Sequence, residues 1–318
     1  DCGIKSNDKV DLANSYGIDF IICDHHLPDE SIPNACAILD AKQPDCNYPY
    51  EELCGCGVAF KLMQGYCDFA NIDPDFPLSF LDLVAIATAS DIVPITGENR
   101  ALTYHGIQKL NTDPRPGIKE LITLCGYKTE LSVTNIVFGI GPRINAAGRI
   151  DHAHGAVKLL LAESVDDAKT EGFKINEHNA TRRDIDASIA EEAIQMITDQ
   201  EDEKVSTVLY NENWHKGVIG IVASRCIEHF YRPTIILTES NGKAAGSARS
   251  VNGFNVHDAI DACSDLLTQF GGHAYAARLT MPVENIEAFQ KKFEDVVKGS
   301  ISPDQLIPKI HYRSTAYF

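Results

Sequence analysis

The sequence predicts an α/β protein in two parts, a parallel-sheet domain joined by a long helix to a smaller α/β domain. Three observations carry this. Phe20, Ile21, Ile22 and Cys23 form a short continuous apolar run, the pattern of a parallel strand covered on both faces. Residues 165–198 read as one long helix, with Arg182 and Arg183 midway and an acidic, alanine-rich second half. After the charged stretch 199–204 the alternation of strands and helices starts afresh.

The elements follow in order. Residues 6–16 read as a short helix, with Ser6 and Asn7 as capping candidates, Val10 and Ala13 on one face, and Gly17 as its stop. The strand 17–23 then turns polar within one residue, at Asp24, His25 and His26. A loop holding Pro28 and Pro33 leads to a second strand at 35–39, and 43–49 is rich in turn residues. Residues 53–71 open a helix whose Gly55 and Gly57 suit only its start, where backbone must approach something closely. An apolar helix at 76–89 ends in Ser90-Asp91, and helical patterns continue through 100–110, 117–124 and 132–140. Residues 141–149 read as an irregular, basic, glycine-bounded loop. In the second part, 205–209, 234–237, 243–249 and 276–281 read as strands, and 217–230, 256–270 and 285–297 as helices. The alternating residues 308–318, with Ile310 and Tyr312, read as the first strand of something further.

Composition narrows the function. The 318 residues suit two domains, and 44% apolar with 23% charged residues suits a buried core. A formal net charge of −17 argues against a nonspecific polyanion binder, although a local basic groove is compatible with it. The ten cysteines sit mostly in apolar segments, which suits reduced thiols and a cytoplasmic protein. Cys54-Gly55-Cys56 is too tight for a zinc pair. No apolar run is long enough to span a bilayer, so no membrane partner is expected.

The chemistry-bearing residues stand at element ends. Ligands of parallel sheets gather beyond the carboxyl ends of strands, where Asp24, His25 and His26 fall. Asp1 precedes a turn, and Asp91 follows an apolar helix. Carboxylate and imidazole donors suit Mn2+ or Mg2+. Two such ions, roughly 3.5–4 Å apart, activate water and hold both sides of a phosphoryl displacement. The plainer alternatives are a capping Asp24 with two surface histidines, and Asp91 as an ordinary helix-terminal residue. Spacing alone does not choose between them.

Asp1-Cys2-Gly3, Asp24-His25-His26 and Ala89-Ser90-Asp91-Ile92-Val93-Pro94 resemble three of the four signature motifs of the DHH phosphoesterase superfamily. Residues 57–62, 142–149, 214–225, 246–250 and 270–277 are similar, in the same order, to its bacterial single-strand-specific exonucleases. The resemblance covers almost the whole chain. It implies a DHH domain at 1–164, a connecting helix at 165–203, a DHH-associated domain at 204–304, and the start of a barrel domain at 305–318. It also implies two Mn2+ or Mg2+ ions held by Asp1, His25, His26 and Asp91. By the same resemblance Asp24 is expected to orient the histidines, making Asp24 and His26 the catalytic pair. On the same ground the Gly271-Gly272-His273 turn, with Ser247 and Arg249, is expected to hold a phosphate, and Arg143, Asn145 and Arg149 are expected to line a DNA path.

The implied activity is hydrolysis of single-stranded DNA from the 5′ end in repair and recombination, with a single-strand-binding protein and a helicase as partners. Four departures stand out. The aspartate-rich first motif does not precede Asp1, and most of the barrel does not follow, so residues 1–318 alone are expected to bind metal poorly and turn over little. Arg278 stands where the family has glycine, and Asp40 where it commonly has asparagine. Trp214 and His215 stay open between packing and stacking on a base. Other readings are a phosphodiesterase of short oligoribonucleotides or cyclic dinucleotides, less readily a manganese pyrophosphatase, or a non-catalytic DHH scaffold.

Overall fold

The computed structural model describes residues 2–91, 93–199 and 204–309. Asp1, and the strand expected at the end of the chain from residue 310 on, lie outside these residues. The chain divides into two units, Asp1–Asn179 and Ala180–Phe318.

In the first unit, α1 (Asn7–Ser15) ends at Gly17, whose φ of 67° reverses the chain into β1 (Ile21–Cys23). β1 pairs in parallel with β2 (Ala37–Leu39), Ile22 opposite Ile38. Helix α2 (Gly55–Ala70) starts on Cys54, whose Sγ accepts the Gly57 N–H at 3.4 Å. A 3₁₀ turn, Phe76–Phe80, leads into α3 (Leu81–Ser90), which is apolar around most of its circumference and therefore buried. Its one charge, the fully buried Asp82, accepts Arg115 Nε at 2.9 Å and Nη2 at 2.8 Å. A fork of that kind is what allows a carboxylate inside a core. Helices α4 (Gly97–Thr112), α5 (Pro116–Cys125), the single turn α6 (Val133–Asn135), α7 (Gly141–Ile150) and α8 (His154–Leu160) pack around α3 and a π-helical turn at Ile136–Ile140.

The loop expected at 141–149 is a helix, α7. Its Pro142 stands in the first turn, where proline's missing N–H costs nothing, and Ala146 and Ala147 are fully buried. Of the glycines that suggested a loop, Gly141 serves packing: a Cβ there would sit 2.7 Å from Ser90 Oγ.

Helix α9 (Val165–Thr198) is continuous across the division of the chain. In the second unit, β3 (Thr207–Tyr210), α10 (Ile219–His229), β4 (Thr234–Ser240), β5 (Lys243–Arg249), α11 (Val256–Asp261), β6 (Gln269–His273), β7 (Ala276–Met281) and α12 (Ile286–Ser300) follow. The sheet order is β3-β4-β5-β7-β6, with β3 and β4 parallel and the other pairs antiparallel. The helix expected over 256–270 stops at Asp261. The chain turns through Ser264–Leu266 and returns as β6, so Gly271, Gly272 and His273 form the end of a strand rather than a helix-ending turn. Gly272 is required there, since a Cβ would collide with the Ala276 carbonyl and Ala277 Cα of β7.

Alternation along the strands gives this sheet two different faces. Ile235, Leu237, Ala244, Ala248, Ala277, Leu279 and Met281 pack on α11 and α12, with Phe289 and Phe293 fully buried. On the opposite face Leu209 and Ile236 pack on α10 and on Ile189, Ala193 and Ile197 of α9.

Candidate metal centre and phosphate-binding face

The first candidate site grows from the end of β1. Asp24 N–H donates to Leu39 O of β2 at 3.0 Å, so the carboxylate is anchored where the strand stops. Asp24 is 1% exposed, and its oxygens are surrounded by donors. Oδ2 accepts the Ile4 N–H at 3.0 Å; Oδ1 accepts the His25 N–H at 2.8 Å, the His26 N–H at 3.3 Å and His26 Nδ1 at 2.7 Å. Burial alone would push this carboxyl up, but the bonds from Ile4, the His26 ring and the His25 and His26 backbone outweigh it and bring the pKa to about 2. Asp24 is thus a permanent anion that fixes the proton of His26 on Nδ1 and leaves the lone pair on Nε2.

The His25 ring lies 4.5 Å from that of His26, centroid to centroid, and is itself buried. Burial lowers its pKa and keeps the imidazole neutral near pH 7, the form that ligates metals. Its Nε2 is 3.5 Å from Asp91 Oδ2. Asp91 ends α3 with an extended backbone, its N–H donating to Ala87 O at 2.9 Å. Two residues missed in the sequence hold the segment that follows. Asn99 Nδ2 donates to Pro94 O at 3.0 Å, and Tyr50 donates from its hydroxyl to the same oxygen at 3.2 Å. An asparagine inside a helical pattern, fully buried in α4, was the available signal.

His25, His26 and Asp91 are therefore brought together, with Asp24 behind them. Imidazole nitrogens and carboxylate oxygens are the donor chemistry of Mn2+ or Mg2+. Among the described residues, no three His, Cys, Asp or Glu converge closely enough to hold an ion by themselves. Asp40, at the end of β2, is a further buried carboxylate nearby. Its Oδ1 accepts the Lys42 N–H at 2.9 Å, while burial, with the charge of Asp24, pushes its pKa up.

The second site lies on the sheet of the second unit. Register sets Ser247, Arg278 and Gly271 in one row across β5, β7 and β6, and Arg249, Ala276 and His273 in the next. Residues two apart share a face, so Ser247, Arg249, Arg278, His273 and Gly271 all point to one side. Arg249 Nη1 donates to Ser247 Oγ at 3.0 Å and to Ala248 O at 2.7 Å. The first turn of α10 presses on this pair: a Cβ on Gly220 would lie 2.8 Å from both Arg249 Nη2 and Ser247 Oγ. Cations, a hydroxyl and a helix N-terminus on one face are the groups that can hold a phosphate. Gly220 carried one signal in the sequence, the Gly217-Val218-Ile219-Gly220 spacing ahead of an apolar helix.

Arg143, Asn145 and Arg149 are not equivalent. Asn145 and Arg149 are one helical turn apart on α7, Asn145 exposed and Arg149 half-buried. Arg143 instead ties α7 inward, donating to Gly139 O at 3.0 Å, Leu124 O at 3.1 Å and Asn176 Oδ1 at 3.3 Å. Trp214 is resolved as a packing residue. It is 4% exposed, and its Nε1 donates to Glu192 Oε2 at 2.8 Å, so the indole offers no platform for a base. His215 Nδ1 accepts the Gly217 N–H at 3.1 Å and shapes the entry to α10.

A strand end bearing Asp-His-His, followed by a second α/β unit with a glycine-histidine strand end, defines a DHH protein with its associated domain. Family models agree: the DHH family N-terminal domain matches residues 1–88, and the DHHA1 domain matches residues 202–299. The single-stranded-DNA-specific exonuclease RecJ of Bacillus subtilis is 37% identical over 311 residues, 97% of this chain and 39% of that protein. RecJ of Escherichia coli is 36% identical over 326 residues, 96% of this chain and 56% of its own length. The chain thus spans about half the length of the curated relatives it matches. A crystal structure of exonuclease RecJ bound to manganese has a TM-score of 0.80 at 30% identity, covering 96% of this chain and 76% of that one. RecJ from Thermus thermophilus in complex with Mn2+ gives 0.85 at 30% identity, over 95% and 45%. The chain belongs to the RecJ family.

Proposed function

We propose that this chain is the catalytic portion of a metal-dependent exonuclease that removes nucleotides from the 5′ end of single-stranded DNA. The observation that carries it is the buried array Asp24–His26 and His25–Asp91 at the end of β1, in a chain similar along most of its length to single-stranded-DNA-specific exonucleases. Asp1, His25, His26 and Asp91 hold two divalent ions, Mn2+ or Mg2+; two relatives have been solved with Mn2+. When bound, such a pair acidifies a water and neutralises charge on the scissile phosphate. Asp24 keeps the His26 tautomer and the turn of residues 24–26 fixed. Burial keeps His25 neutral.

On the second unit, Ser247, Arg249, His273 and the backbone at Gly271 and Gly272 take a phosphate of the strand, and Arg278 adds a charge to the same face. Asn145 and Arg149 track the backbone along α7, and Arg143 holds that helix in place as well as lying near the path. The domain boundaries proposed for the chain are a DHH domain at 1–164, a connecting helix at 165–203, a DHH-associated domain at 204–304 and the start of a barrel domain at 305–318. The protein works in the cytoplasm in DNA repair and recombination, supplied with single strands by a helicase and a single-strand-binding protein. Among the described residues, no helix is long and apolar enough to cross a membrane.

The test is digestion of end-labelled single-stranded DNA in Mn2+, using protein that carries the family's aspartate-rich first motif ahead of Asp1. Release of labelled mononucleotide from the 5′ end, abolished by His26→Ala with the fold retained, is the expected result. Release from the 3′ end, faster cleavage of a dinucleotide than of a long strand, or wild-type turnover by His26→Ala overturns the assignment.

A further inference from the structure

Residues 131–150 contain no Asp or Glu, yet hold Arg143 and Arg149, in a chain of net charge −17. From Val133 on they form one continuous helical segment, made of α6, the π-helical turn Ile136–Ile140 and α7. The π turn is held on both sides of Phe138. Ile136 and Ile140 are fully buried. Gly139 lies so close to Tyr127 that a Cβ would meet its Oη at 2.1 Å, and that hydroxyl donates to Asn135 O at 3.1 Å. Arg143 Nη1 donates to Gly139 O at 3.0 Å. Phe138 itself faces outward and is 77% exposed. Single π turns inside helices are frequent at functional sites.

One exposed apolar residue is ordinary on a protein surface. Two features set Phe138 apart. Its backbone is anchored, so the ring is presented from a rigid turn. It also shares a face with Asn145 and Arg149, which stand seven and eleven residues beyond it, close to two and three turns at about 3.6 residues per turn. The wider winding of the π turn shifts Phe138 round the axis by only part of one residue step. At about 1.5 Å per residue, Phe138 lies roughly 10 Å from Asn145 and roughly 16 Å from Arg149 along the axis, a span of a few nucleotides.

The occupant follows from this mixture. A protein partner needs a broader apolar patch, and here one ring is followed by an amide and a guanidinium. A duplex keeps its base faces stacked on one another. An unpaired base offers its π face to an aromatic ring whatever its identity, while Asn145 and Arg149 meet the phosphates. We propose that Phe138 is a base-stacking platform for single-stranded DNA, on the same helical face as Asn145 and Arg149. The proposal rests on the reading of this chain as a single-strand nuclease, and adds a means of telling a single strand from a duplex. Stacking of this kind tolerates any sequence, as degradation of a strand from one end requires.

Fluorescence anisotropy of a labelled oligothymidylate tests it, with protein that carries the first motif ahead of Asp1 and with EDTA present to prevent cleavage. Phe138→Ala should weaken binding by about 5- to 150-fold, the range for losing one base stack. Its melting should stay native-like, because the side chain is exposed. Phe138→Leu keeps apolar bulk without a π face and should lose most of the same affinity, while Phe138→Trp should bind like the wild type. The salt slope of Phe138→Ala should match the wild type, whereas Arg149→Ala should lower it by about 0.7. The Phe138→Ala deficit should shrink on an abasic strand of equal length, which keeps the phosphates and lacks the bases. Wild-type affinity in Phe138→Ala or Phe138→Leu, a lowered salt slope in Phe138→Ala, or an undiminished deficit on the abasic strand overturns the proposal. Any of these, with 5′ digestion by the wild type intact, removes the stacking role and leaves the nuclease reading standing. No binding of oligothymidylate by the wild type removes both.

Discussion

Replacing Gly220 by alanine should weaken the phosphate binding proposed for the second unit while changing its stability by no more than about 2 kcal/mol. The new Cβ would stand 2.8 Å from both Arg249 Nη2 and Ser247 Oγ, closer than carbon tolerates. Ser247 lies within β5 at 7% exposure and cannot retreat, so Arg249 must swing away and give up its 3.0 Å bond to Ser247. Alanine in a helix gains up to about 1 kcal/mol over glycine, and overpacking costs about 1–3 kcal/mol. The net change in stability is therefore within about 2 kcal/mol. A charged hydrogen bond to phosphate is worth about 1.5–3 kcal/mol, roughly 10- to 150-fold in Kd. Fluorescence anisotropy of a labelled oligothymidylate reads the affinity, and thermal melting of the same samples reads the fold. One lost phosphate contact should also lower the salt slope by about 0.7. Wild-type affinity and salt slope in a folded Gly220→Ala protein would refute the phosphate assignment.

Asp24→Asn should destabilise the first unit by about 1–3 kcal/mol, because an amide nitrogen cannot accept and one of the four donors around residue 24 is left unpaired. Urea unfolding measures this, and a change below about 0.5 kcal/mol contradicts the orienting role. Glu294 in α12 accepts the Val205 N–H and Ser206 N–H, each at 3.0 Å, and the Ser206 hydroxyl. Burial works to raise its pKa, but those bonds, with Lys298, hold it below the usual glutamate value. A depressed folded pKa gives stability that is complete above the unfolded value of about 4.5 and is lost as pH falls through the folded one. Glu294→Gln should therefore flatten the acid limb of the stability profile, and an unchanged limb would remove Glu294 as its source.

The Asp24–His26 part of the candidate metal centre was legible because its residues are contiguous. Asp24, His25 and His26 follow a run of apolar residues, and a strand end is the one local feature that turns such a triplet inward. The groups that position them were hidden, since Ile4 N–H and Leu39 O reach Asp24 only through tertiary folding. Glycine was the main source of error. Gly141 and Gly148 suggested a loop at 141–149, yet Gly141 is there to let Ser90 approach a helix. Gly271 and Gly272 suggested a turn, yet Gly272 lets β6 lie against β7. In each case glycine marks close approach as readily as a turn, and a single sequence does not separate the two. The apolar pattern over 256–270 failed for a related reason. Phe270 packs against the same core as α11 from a strand, and short apolar runs do not distinguish the two structures.

Manganese uptake tests the central claim most directly. Electron paramagnetic resonance titration of protein that carries the first motif ahead of Asp1 should find about two tightly held Mn2+ ions per chain. His25→Ala should lose tight binding while its circular dichroism and melting stay native-like. Equal Mn2+ uptake by folded His25→Ala, or none by the wild type, would contradict a metal centre at the end of β1.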